Sequence, residues 1–211
     1  TEGCQAKTTR MYLATLYNTN VCSILDIDQY VLNVKWFLDK IKPSFTEKKF
    51  VAIGHNHYYG TPDNGKFPMA YSSAPSDIWK KIINPKNLSY TSWFEYISNL
   101  PNPIDNKENP KNVFNRFSDE SLLRYLLERH EDREFIKNVL IKIEREDVPP
   151  RQHFCTRRVD RGWWNKLDLN LLKQNYYIDS NPLRPFNSNF NHIAPILQYL
   201  KIKGNKKDLF F

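Results

Sequence analysis

Glycine is scarce in this chain, 6 residues in 211, and neither G-x-G-x-x-G nor G-x-x-x-x-G-K-[ST] occurs, so the usual backbone cradles for nucleotide phosphates are missing. A dinucleotide enzyme is therefore not expected. Cysteine is scarcer still: Cys4, Cys22 and Cys155 are odd in number and widely spaced, with no C-x-x-C pair, which excludes a disulfide framework and a zinc ribbon. Synthesis in a reducing cytosol fits that usage. No run approaches the roughly 18 consecutive apolar residues that cross a bilayer, and residues 1–20 lack the apolar centre of a secretory signal. No membrane association is expected. There is also no internal repeat.

What the chain has in quantity is aromatic area and positive charge. Its 12 Tyr, 13 Phe and 5 Trp, within a hydrophobic fraction of 40%, are too apolar for a disordered chain. This is a folding sequence, and its length suits one domain over 1–211. The balance of 31 Lys+Arg against 23 Asp+Glu gives +8, which invites a polyanionic partner. The basic residues, however, lie in scattered pairs (Lys48-Lys49, Lys80-Lys81, Arg157-Arg158, Lys206-Lys207) beside acids or prolines, so a solvated basic exterior is the favoured reading.

Periodicity organises the chain as follows. Arg10 to Tyr17 and Val21 to Ile27 are β-branched and aromatic runs around Asn18-Thr19-Asn20 and predict a hairpin. Asp28 precedes a helical stripe of Val31, Val34, Leu38 and Ile41, which Pro43 is expected to stop. Lys49 to Tyr59 alternates as a third strand, placing His55 and His57 on one face. A proline-rich region, about 62–115, is expected to be ordered but irregular, with only short elements between its prolines. Ser118 to Arg129 and Trp163 to Gln174 predict helices. Phe135 to Arg145 fits both periods, and we assign strand to its second half; Ile193 to Ile202 forms one last element. The expected class is α+β: a mainly antiparallel sheet or sandwich core with flanking helices and long ordered loops.

Three groups of residues carry candidate chemistry. His55 and His57, two apart on a strand, can in principle share a metal, yet His55-Asn56-His57 lacks both the wide spacing of His-Asn-His nucleases and a third ligand at a recognisable distance. A structural or contact role is favoured over metal-dependent cleavage. Cys155 with His153 and Asp160 does not make a triad by sequence proximity. Arg151, Arg157, Arg158 and Arg161, interleaved with Phe154 and followed by Trp163-Trp164, suit phosphates or bases as well as protein contacts. Contacts are preferred, because Arg, Trp and Tyr dominate interface hot spots.

The order of features in two blocks resembles a known family. The segment Tyr12 to Ile27, the helix through Trp36-Phe37-Leu38, the run Tyr58-Tyr59-Gly60-Thr61-Pro62-Asp63-Asn64-Gly65-Lys66-Phe67 and the Ser-Ser-Ala-Pro at Ser72 to Pro75 are similar to a stretch of cypovirus polyhedrins. Trp164, Leu167, Leu169, Asn175-Tyr176-Tyr177-Ile178, Pro185-Phe186 and the Asn-rich segment to Asn191 agree in order and spacing. The resemblance implies a viral structural protein without catalytic turnover. Such a protein forms trimers packed in an intracellular crystal, the occlusion body, which embeds virus particles in the cytoplasm of the infected host cell and dissolves in alkali. It requires no cofactor and no metal, although some members hold nucleoside triphosphates; no binding residue for these can be placed here. Only about ten residues precede the first expected strand, fewer than the family's N-terminal arm, so arm exchange is not expected. The candidate contact residues are Arg157, Arg158, Arg161, Trp163, Trp164, Tyr176, Tyr177, Tyr58 and Tyr59. A basic nucleic-acid-binding or phage structural module is the alternative function, and a metal-dependent nuclease using His55 and His57 the third.

Overall fold

A computed structural model describes residues 2–26, 29–58, 67–100, 119–148, 155–159, 167–181 and 190–199. Two compact units emerge, one from 1–25 with 40–153 and one from 26–39 with 154–211.

In the first unit, helix α1 (Glu2–Leu13) leads to strand β1 (Cys22–Ile24). The expected Arg10–Tyr17 strand of a hairpin is thus a helix end and turn. Its β-branched and aromatic composition is overridden by tertiary burial: Thr8, Met11, Tyr12 and Thr15, spaced for one helical face, are all buried. Tyr12 packs edge-on to Tyr90 and lies 5.2 Å from the Trp93 ring. Arg10 donates from Nε to the buried Asp119 carboxylate at 2.7 Å and from Nη1 to Leu25 O at 3.1 Å.

Helix α2 (Val34–Thr46) begins later than the stripe suggested, because Val31 lies in strand β2 (Tyr30–Val31) and the Asn33 side chain accepts the Trp36 N–H at 2.9 Å. The helix also runs through Pro43 rather than stopping there. Pro43 forfeits only the bond to the Asp39 carbonyl, while the residues beyond it are fixed from outside: Ser44 is fully buried and donates to Ser73 O at 2.9 Å.

Strand β3 (Phe50–Ile53) is buried along its whole length and is shorter than the expected Lys49–Tyr59 run. Gly54, at φ +81°, turns the chain into a 3-10 helix over His55–Tyr58. A Cβ there would stand 3.2 Å from the Arg145 Cδ, so the position is closed to larger residues on two counts. Strand β4 (Ser72–Ala74) precedes helices α3 (Ser76–Ile83) and α4 (Tyr90–Ser98). The proline-rich region therefore holds two regular helices of 8 and 9 residues between Pro75, Pro85 and Pro101, in place of irregular chain. Each carries a fully buried indole as an anchor: Trp79 donates to Cys22 O at 2.9 Å and Trp93 to Ile83 O at 2.7 Å.

Helix α5 (Asp119–Glu128) fulfils the Leu-rich expectation, burying Leu122, Leu123, Leu126 and Leu127. The ambiguous segment resolves into helix α6 (Arg133–Val139), capped by Asp132, and strand β5 (Leu140–Ile143), as assigned for its second half. The sheet order is β1-β4-β3-β5; β1 and β3 flank β4 antiparallel, and β5 lies parallel to β3 with Phe50 opposite Leu140.

In the second unit, β2 joins β6 (Arg158–Val159) and β7 (Asp179–Ser180) in the order β2-β7-β6, one pair antiparallel and one parallel. Helices α7 (Leu169–Lys173) and α8 (Phe190–Tyr199) complete it, and Leu32, Val159, Leu172, Tyr177, Ile196 and Leu197 form its core. Of the helix expected over Trp163–Gln174, residues 163–166 lie outside the described residues. The class is α+β, with eight α-helices and two small mixed sheets among the described residues. The expected mainly antiparallel sandwich is corrected: each sheet contains a parallel pair, and strands of two to four residues offer too little face to stack a second sheet upon.

Candidate functional site

The histidine tripeptide loses its strand premise. His55 stands in the 3-10 turn after Gly54, where residues two apart no longer share a face, and the His57 side chain lies outside the described residues. Asn56 instead extends the β3–β5 ladder. Its amide donates to Arg145 O at 3.0 Å and accepts the Arg145 N–H at 2.9 Å, one residue pair beyond the Gly54 N–H to Ile143 O bond of 2.7 Å. A side-chain amide thus replaces a peptide unit where the turn has carried the backbone away. His55 lies 3.9 Å from Glu144, and burial pushes its pKa below the usual histidine value. Arg145 forms a bidentate pair with Asp147, both bonds 2.8 Å, almost wholly out of solvent. No group of three or more His, Cys, Asp or Glu that could hold a metal occurs among the described residues.

The arginine and tyrosine cluster separates into two roles. Arg158 is largely buried and directs its guanidinium at Asp179, with Nη2 to Oδ2 at 2.8 Å and Nε to Oδ1 at 3.1 Å. Gln29 donates to the same Oδ2 at 2.8 Å, so one fully buried carboxylate ties together the residue before β2 and strands β6 and β7. Arg157 turns outward. Its Nε donates to Tyr176 O at 2.6 Å and its guanidinium stands 5.5 Å from the Tyr176 ring, which is 39% exposed. Tyr177 packs edge-on to Tyr176 but is itself core, its hydroxyl accepting the Asp168 N–H at 3.3 Å. The structure thus brings Arg157, Arg158, Tyr176 and Tyr177 together and leaves Arg157 and Tyr176 as the surface pair. Arg151, His153, Asp160, Arg161, Trp163, Trp164 and Tyr59 lie outside the described residues, as does the Tyr58 side chain. Cys155 is buried and its expected neighbours His153 and Asp160 are among those undescribed residues.

Sequence reasoning missed a cleft of about 220 Å³ in the first unit, lined by Tyr96, Tyr125, Lys86 and Arg129 over an apolar floor. The signal available was Tyr125 and Arg129, four apart with Arg129 just past the end of α5, which the leucine stripe overshadowed. Several large apolar side chains are exposed besides: Leu16 at 60%, Tyr17, Val34, Phe45, Leu38 and Leu169.

Among the described residues no helix is long and apolar enough to cross a membrane. No family model, no curated protein and no solved structure matches the chain.

Proposed function

We propose that this protein is a structural protein that self-assembles, in the manner of an occlusion-body matrix protein, into intracellular crystals that embed virus particles. The observation that carries the reading is the number of large apolar and aromatic side chains left in solvent, from Leu16 and Tyr17 to Phe45, Leu169 and Tyr176. Isolated exposed apolar residues are ordinary; on this reading the several carried by each unit serve as contacts to neighbouring copies. Arg157 and Tyr176 add a contact pair already fixed by an intrachain hydrogen bond, so ordering it in an interface loses little conformational entropy.

Alkaline dissolution follows from the same surface. A phenol buried neutral in a contact has a raised pKa, so its contribution is complete below the unfolded value of about 10 and is lost as pH climbs through the raised one. Lysines lose charge in the same range, and the net charge of +8 turns negative. Contact Tyr→Phe replacements then shift dissolution to higher pH.

The test is microscopy of expressing cells with sedimentation of the purified protein. Micron-sized crystals, lost in Tyr176→Ala and Phe45→Ala while the melting temperature of dilute protein is unchanged, are expected. A chain that stays monomeric at high concentration and never crystallises refutes the proposal. Salt-dependent retention on DNA or RNA would favour the nucleic-acid-binding alternative.

A further inference from the structure

The cleft of the first unit lies where the last turns of three helices meet. Ile82 of α3, Tyr96 of α4, Tyr125 and Leu126 of α5 all come from final turns, and Leu100 and Pro85 close its sides. Cations are common at helix C-termini because they bond the orphan carbonyls there, which is the ordinary explanation for Lys86 and Arg129. The hydrogen bonds argue otherwise. The Leu127 carbonyl accepts from Arg133 at 3.0 Å, and so does that of Glu128. Lys81 O faces His130 Nε2 at 3.1 Å, and Glu95 O accepts from the Asn99 amide at 2.9 Å. Other side chains therefore serve these carbonyls.

Among the described residues the Arg129 side chain makes no hydrogen bond or ion pair, and Lys86 only stands 4.5 Å over the Tyr96 ring. The nearby carboxylates are engaged elsewhere: Glu128 by Arg124 at 2.8 Å, and Asp132 as the cap of α6 at 2.8 Å. Glu131 remains at the rim as the single acid of the lining. Among the described residues, two cations without a carboxylate partner thus line a cleft with Ile82, Leu100, Leu126 and tyrosine rings.

The volume narrows the ligand. An apolar cavity of about 150 Å³ holds benzene, so about 220 Å³ admits one ring and a charged substituent. We propose that this cleft binds a small aromatic anion, a single ring bearing a carboxylate or phosphate, with the ring on the apolar floor and the charge between Lys86 and Arg129. Glu131 and the residual field of three helix C-termini oppose the anion, so affinity falls in the millimolar to high-micromolar range, on the order of 4–6 kcal/mol. This inference does not depend on self-assembly.

The test uses the full chain and fluorine NMR of 4-fluorophenyl phosphate, 4-fluorophenylacetate and the neutral 4-fluorobenzyl alcohol. Both anions should broaden on adding protein and the alcohol should not. Arg129→Gln and Lys86→Met, on exposed positions, should each weaken binding about fivefold to tenfold at unchanged melting temperature, and Lys173→Met, in the other unit, should change nothing. Equal broadening by the alcohol would make the cleft merely apolar. Displacement of both probes by an equal concentration of inorganic phosphate would reduce it to an ion site. Either result, or binding unaltered in the double variant, overturns the proposal.

Discussion

Asp179 is the residue on which the second unit depends most, and its removal is the sharpest perturbation available. The carboxylate is fully buried, receives two donors from Arg158 and one from Gln29, and has no route to water. Asp179→Ala leaves a guanidinium only 15% exposed without its counter-charge and a buried amide without its acceptor. Breaking a buried pair from one side costs about 3–5 kcal/mol. Gln29→Ala removes one charge-assisted bond while Arg158 keeps the carboxylate satisfied, so about 2 kcal/mol is expected. Replacing both charged partners by apolar residues, Arg158→Met with Asp179→Leu, should recover much of the loss, because neither charge is then left buried alone. Urea denaturation of dilute protein at neutral pH, followed by circular dichroism, measures these three variants and Arg158→Ala. A loss below about 1 kcal/mol for Asp179→Ala would refute the reasoning. So would Arg158→Ala that leaves the midpoint unchanged and abolishes assembly, since Arg158 would then be a contact residue. The single-domain expectation adds a condition: the loss should appear in one cooperative transition rather than in a separate one.

Asn56→Ala should cost about 1–2 kcal/mol in the same assay by removing the acceptor of the Arg145 N–H and one donor to the Arg145 carbonyl, which keeps the Val148 N–H at 3.3 Å, and an unchanged midpoint would show the amide is not part of the ladder. Trp93→Phe keeps most of the apolar area but strands the Ile83 carbonyl, so about 1–3 kcal/mol is expected; a neutral change would mean that water replaces the indole. The pKa of His55 is lowered chiefly by burial, so its contribution is present above about pH 6.5 and lost as pH falls through the lower folded value; His55→Gln should flatten the acid limb of a stability profile. Tyr30 is raised by burial, so its contribution is complete below about pH 10 and lost above; Tyr30→Phe should move the alkaline limb upward.

Where one period dominated and burial agreed with it, the elements were legible. The leucines of α5 are such a case, whereas 135–145 fitted both periods and divides between α6 and β5. The Arg10–Tyr17 error arose because a run read as β-branched and aromatic carries no clear period of its own. Contacts made far along the chain, the Tyr90 and Trp93 rings against Tyr12 and the Asp119 carboxylate on Arg10, accompany the helix. The proline-rich region misled in the other direction. Prolines at 75, 85 and 101 bound helices without entering them, and proline is harmful only inside. Pro43 did enter α2, and the Ser44 bond to Ser73 that helps hold that turn has no sequence signature. Among the candidate contact residues, composition marked the Arg157–Tyr176 cluster but could not separate an inward Arg158 from an outward Arg157. Arg158 opens β6 and turns to Asp179 of its neighbour β7, while Arg157 lies in the turn before the strand, a boundary that no local signal marks.

That division exposes a general property of the chain. Its sheets are very short, with β2, β6 and β7 only two residues each, far below what main-chain pairing alone can hold. Polar side chains complete the pairing: Asn56 continues the β3–β5 ladder on Arg145, Gln29 and Arg158 bridge β2, β7 and β6 through Asp179, and Ser23 and Ser73 meet at 2.7 Å across β1 and β4. Arg, Asn, Gln and Asp that would ordinarily suggest a binding surface are in these places structural. The functional signal therefore has to be read from the polar side chains left over after the ladders are complete. Among the described residues Lys86 and Arg129 beside the cleft are such remainders, and they point to that surface rather than to the histidine tripeptide.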